Sequence, residues 1–187
     1  MKKFYFLFLT LSIFGCKQPD IKQAKDSRPK NEITLVKKFK AADSTYRRQN
    51  NDIRKSEVSD SAMHSISNYI IKDLHLKADR WLATVHKITM NEFPKSVDIE
   101  FMIPIQNDPE DKYPEFSAII LTTTVDYKSK KMVDVLKSLK KDDEVFLSGK
   151  FIKSATGIIS IFSYTVSLGQ DFANPQLNFE LTDIVKK

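Results

Sequence analysis

The sequence predicts an α+β chain in which a helical segment precedes a small β-barrel of five or six strands, with a short helix between the third and fourth strands. Three observations carry this. Leu35, Phe39, Ala42, Tyr46 and Ile53 recur at helical steps, marking one apolar face. Val97, Ile99, Phe101, Ile103 and Ile105 alternate with Asp98, Glu100, Met102 and Pro104, the period of a half-buried strand. A short helical pattern, Met132, Val133, Leu136 and Leu139, interrupts a run of strand patterns.

In chain order, the first apolar stripe sits among Lys37, Lys38, Lys40, Arg47, Arg48 and Asp52. It lasts about three heptads, short for a partner-binding coiled coil, so it is expected to pack on its own domain. A second helix is expected after a break at 56–60, capped by Ser59 or Asp60, with Met63, Ile66 and Ile70 inward. Beyond Lys77 come strands at 81–88, 97–105 and 116–125, the last two separated by a proline-containing loop at 107–114. The short helix fits 130–139, and Lys140-Lys141-Asp142-Asp143 makes a polar turn. Val145, Leu147, Gly149 and Phe151 form the inward set of the next strand, where Gly149 suits a bulge at a barrel corner. Strands at 158–168 and 177–184 close the pattern, joined by a loop holding Gly169 and Pro175. Three strands, a helix and further strands is the order of an OB-fold barrel. A six-stranded sandwich is the alternative, and the interposed helix favours the barrel.

The first residues read differently. Met1-Lys2-Lys3 is followed by an uncharged apolar run over 4–14 and then by Gly15 and Cys16, the layout of a secretory signal peptide. Ile13-Phe14-Gly15-Cys16 resembles a bacterial lipobox. That resemblance implies that Cys16 becomes the lipidated first residue of an exported protein held on a membrane by its lipid. An ordinary signal peptide with an incidental cysteine is the alternative. Lys17 stands where, in enterobacterial lipoproteins, an aspartate favours retention at the inner membrane, so the outer membrane is the expected location. Cys16 is the single cysteine, and acylation would remove a reactive thiol from an exported chain. The organisation is then a leader over 1–15, a flexible tether over 16–30 with two prolines and no apolar period, a helical segment over 31–77 and a barrel over 78–187.

Charge is unevenly placed. Of the formal net charge of +6, half lies in the tether, where Lys17, Lys22, Lys25, Arg28 and Lys30 face only Asp20 and Asp26. Lys2 and Lys3 add two more, so residues 31–187 are close to neutral. A cationic tether beside anionic headgroups gains electrostatic attraction. A nucleic-acid-binding domain would carry its own basic stripe, and charge gives that partner no support.

The segments Trp81-Leu82-Ala83-Thr84-Val85-His86-Lys87-Ile88 and Leu136 to Phe151 carry the patterns W-x-G-x-V-x-x-I and L-x-x-G-D-x-V-x-F-S-G-x-F, with Ala83 and Asp142 in place of glycines. Phe179-Glu180-Leu181-Thr182-Asp183-Ile184 follows F-x-F-T-D-I, and Asn51-Asp52-Ile53-Arg54-Lys55-Ser56 fits a helical segment before the barrel. Together, over about 46–184, the chain resembles uncharacterised bacterial OB-fold proteins of the tRNA-anticodon-binding-like group. The resemblance implies architecture and brings no activity with it.

Little points to catalysis. His64, His75 and His86 show no metal-ligand spacing, and there is no second cysteine for a zinc site. Neither a nucleophile elbow nor a phosphate-binding glycine loop is present, and only four glycines exist. Asp98 and Glu100 share one face of a strand, as a hydrolase pair would, yet water-facing positions of a half-buried strand explain them as well. The reading is a non-enzyme without cofactor or metal. OB-folds bind across strands two and three, so Asp98, Glu100 and Met102 on the outer face of strand two, with Tyr113 in the following loop, are the candidate ligand-binding residues. Acids there suit a protein or small cationic ligand and repel phosphate. A scaffold role, with the Leu35/Phe39/Tyr46 stripe docking on a partner, is the second expectation; nucleic-acid binding ranks last.

Overall fold

The structure is a computed structural model describing residues 28–104, 118–162, 172 and 174–187. Cys16 with the leader, most of the tether, Tyr113 with the 107–114 loop, and the end of the 158–168 strand lie outside the described residues.

Helix α1 (Lys30–Arg47) buries Leu35, Val36, Phe39, Ala42 and Tyr46. The expected stripe therefore turns onto the chain's own barrel, joining the core that also holds Trp81, Phe101, Leu121, Leu147 and Phe179. Phe172 closes over it, its ring 6.4 Å from that of Phe39 and 6.3 Å from that of Tyr46. Ile53 does not follow the stripe and is 72% exposed. The physical reason is a helix boundary: α1 stops at Arg47 and α2 (Asp52–Asn68) starts afresh, so the seven-residue step crosses a break. The expected break at 56–60 is likewise absent. Asn51 caps α2, its side-chain oxygen accepting the N–H groups of Ile53 at 2.8 Å and Arg54 at 3.4 Å. Ser59 lies buried mid-helix with its hydroxyl 3.7 Å from Met63 Sδ, and Asp60 is exposed. A π-helical turn (Tyr69–Asp73) extends α2 and buries Ile70.

Strands β1 (Lys77–Asn91), β2 (Ser96–Pro104) and β3 (Ala118–Asp126) form an antiparallel meander. Helix α3 (Lys130–Lys137) follows, then β4 (Glu144–Phe151), the short β5 (Ile161–Phe162) and β6 (Gln176–Lys186). β1 pairs with β4, β4 with β6, and β6 returns to β3 in parallel. The five strands β1-β2-β3-β6-β4 thus close a mixed barrel, with β5 as an extra strand on β6. This is the connectivity of an OB-fold, helix between third and fourth strands included. The expected 158–168 strand begins later than predicted: Ile158 is exposed, Ile159 makes an isolated bridge to Lys153, and among the described residues the ladder on β6 holds Ile161 and Phe162.

The strand periods hold where they were clearest. Val97, Ile99, Phe101 and Ile103 point into the barrel and Asp98, Glu100 and Met102 out of it. The inward set of β4 is Val145, Leu147, Gly149 and Phe151. The register between β4 and β6 shifts at Ser148/Gly149, the bulge that Gly149 suits. A Cβ at Gly149 would meet the Glu180 carbonyl oxygen at 2.2 Å and the Phe179 ring at 2.5 Å; only glycine admits so close an approach. Among the described residues no helix is long and apolar enough to cross a membrane.

Candidate ligand-binding groove

The parallel pairing of β3 with β6 is brief, covering Ile120↔Gln176, Leu121↔Leu177 and Thr122↔Asn178. Past these residues β6 follows β4 instead, from Phe179↔Phe151 onward. The missing side chain at Gly149 permits this, because it lets Phe179 and Glu180 press against β4. β3 continues along β2 as far as Asp126. The two strands therefore part on the barrel's outer surface and leave a groove of about 430 Å³, within the size range of ligand pockets.

Asp98 and Glu100 on β2, Thr122 and Thr124 on β3, and Asn178 and Glu180 on β6 supply its polar lining, and half-exposed Ile152 an apolar spot. Alternation along each strand places these side chains outward while Ile99, Thr123 and Phe179 stay buried. Asp98 is held rigidly: Thr124 Oγ1 donates to its Oδ1 at 2.7 Å and Asn91 Nδ2 to its Oδ2 at 2.6 Å. Those two hydrogen bonds hold its carboxyl below the ordinary carboxylate value. Thr122 Oγ1 lies 3.1 Å from Asn178 Oδ1, bridging the strands where the groove begins. Glu100 Oε2 stands 3.9 Å from His86 Nε2, while His86 Nδ1 is enclosed with no hydrogen-bond partner among the described residues.

Chemically the lining is acidic, with three carboxylates and no lysine or arginine among the residues that form it. Lys87 and Lys150 stand beside it as the cross-strand neighbours of Glu100 and Glu180. With both oxygens of Asp98 engaged by neutral donors, the arrangement suits a fixed anion better than a group that must exchange a proton. Among the described residues no three His, Cys, Asp or Glu side chains gather as a metal site would require. A second depression, about 470 Å³ between α1 and α2, is lined largely by small side chains such as Ala41, Ser61 and Ser65, and holds no comparable set of fixed charges.

Of the four residues proposed from sequence, the groove unites Asp98 and Glu100. Met102 lies farther along β2, opposite Ile120, and takes no part in the lining; its place on the ladder, beside the paired part of β3, keeps it from the parted edge. Tyr113 lies outside the described residues. Sequence reasoning missed Asn91, Thr124, Asn178 and Glu180. The Thr122-Thr123-Thr124 run was the available signal, since alternation puts two of its hydroxyls outward; what set them beside Asp98 was the β2–β3 register.

No protein family, no curated protein and no solved structure matches this chain.

Proposed function

We propose that this chain is a non-enzymatic binding module of the cell envelope, anchored through lipid on Cys16 and capturing a protein or small cationic ligand in the groove between β3 and β6. The observation that carries the proposal is the acidic lining around Asp98, pre-fixed as an anion by Thr124 and Asn91. A cation arriving there meets charge already oriented, so little ordering is required on binding. Phosphate would meet repulsion, which supports placing nucleic acid last. Burial of Leu35, Phe39 and Tyr46 in the chain's own core supports this reading over a scaffold that docks through that stripe. Export and lipidation rest on the leader sequence.

The test is recovery of partners from the native envelope with the lipidated protein and its Asp98→Ala/Glu100→Ala variant. The variant should keep the circular dichroism of the parent, because both side chains lie outside the core. A stoichiometric partner with a basic segment should be retained by the parent and lost by the variant. Equal recovery by both proteins would overturn the groove as the site.

A further inference from the structure

We infer that the groove takes an extended cationic peptide, which adds as a strand to the free edge of β3; this rests on the cation-binding reading above and names its ligand class. The backbone carries the inference. Ile120 donates its N–H to Pro175 at 2.8 Å, toward β6, whereas Tyr127 donates its N–H to Lys95 at 3.2 Å, toward β2. Backbone direction alternates along a strand, so Thr122, Thr124 and Asp126 face away from β2. Thr122 is covered by the pairing with Asn178. The Asp126 carbonyl receives Ser129 N–H at 2.9 Å. Among the described residues Thr124 lies past the last β6 partner, so its N–H and C=O open into the groove. Such an edge is a template for another strand.

Charge selects the occupant. A strand laid along Thr124 would pass between Asp98 on one flank and Glu180 on the other, with Ile152 at its side. Lysines at alternate positions would share one face of that strand and reach both carboxylates. The same spacing would set an intervening apolar side chain toward Ile152. Backbone pairing at Thr124 would fix the register of the peptide, and the flanking acids would supply the selectivity. Neither masses of apolar surface nor a preformed deep cavity is required.

The probe is a capped heptapeptide alternating lysine with threonine or valine, titrated into the folded chain, with amide exchange followed residue by residue. Binding should slow exchange of the Thr124 amide at least tenfold. N-methylation of the peptide at the alternate residues that face β3 should weaken binding at least tenfold, while methylation of the other alternate set should not. Thr124→Pro, which removes that N–H together with the hydroxyl that holds Asp98, should reproduce the loss, and Thr124→Val, which removes the hydroxyl alone, should weaken binding less. If the peptide binds with Thr124 exchange unchanged and both methylated sets bind equally, strand addition is overturned and the cation-binding reading stands. If the Asp98→Ala/Glu100→Ala variant also binds it as the parent does, that reading falls too.

Discussion

Glu32 on α1, sealed from solvent, accepts the backbone N–H of Leu82 on β1 at 3.0 Å. Its other oxygen lies 3.5 Å from the Arg28 guanidinium, which donates in turn to the carbonyl of Pro104 at the end of β2. Helix and barrel are therefore joined by a charged hydrogen bond to the sheet as well as by the apolar stripe. A carboxylate in such a place is costly to desolvate, and its partners would be costly to leave alone.

Glu32→Ala should consequently destabilise the chain by about 3 kcal/mol, because it strands a buried N–H and an almost buried guanidinium. Glu32→Gln keeps an acceptor for Leu82 and should cost about 1 kcal/mol. Urea unfolding of the two variants measures the difference. Equal, small losses in both would show that the helix is held by apolar packing alone.

Gly149→Ala is expected to be worse than its single methyl suggests. The atoms it would meet are the Glu180 carbonyl and the Phe179 ring, and neither is the loose end of a flexible side chain. Relief requires β6 to move away from β4, so a loss of about 3 kcal/mol is expected, at the upper end of overpacking. Thermal unfolding checks the size. The affinity of the groove for the lysine peptide checks the mechanism, because moving β6 changes the gap between β3 and β6.

Asp142 is the opposite case. Its φ of 70° lies in the left-handed region, and its N–H donates to Val85 at 2.8 Å, tying the turn after α3 to β1. The side chain is exposed, so little is lost with it. Asp142→Gly should stabilise the barrel by about 1 kcal/mol through relief of that backbone strain, seen as a higher midpoint in urea. A lowered midpoint would mean that the entropy glycine adds to the unfolded chain outweighs the strain.

That position also shows how much the sequence could convey. The pattern Leu139 to Phe151 pointed to a glycine at 142, and the backbone there adopts the conformation glycine favours. Gly149 was legible as a bulge because one residue type in an alternating strand has few other uses. The faces of β2 and β4 followed from period two alone. Helix boundaries were less legible: the Ile53 step kept helical phase by coincidence across the break at 48–51, and the cap belonged to Asn51 rather than to Ser59 or Asp60. The groove was half legible. Asp98 and Glu100 were visible on one face, but Thr124, Asn178 and Glu180 come to them only through the register of β3 and the parting of β6, which depend on contacts between residues 26 to 56 positions apart.

Asp98 gives the pH test of the groove. Its folded carboxyl titrates below the ordinary carboxylate value because Thr124 and Asn91 hydrogen-bond to the anion. Between that lowered value and the ordinary one, the unfolded chain binds the proton and the folded chain does not. The contribution to stability is therefore fully present above the ordinary value and is lost as pH falls through the folded value. Asp98→Ala removes both hydrogen bonds and should cost about 1 kcal/mol at neutral pH, small because the side chain is partly open to water. The gap between parent and variant should stay constant through neutral pH and narrow only in acid. Asp143, likewise held low by Lys186 and the Lys140 N–H, is present in both proteins and cancels. Paired urea titrations from neutral pH into acid make the measurement. A gap that stays constant to the lowest pH would mean that the bonds from Thr124 and Asn91 do not favour the anion over the acid, so that Asp98 would carry its charge at neutral pH without being fixed by them.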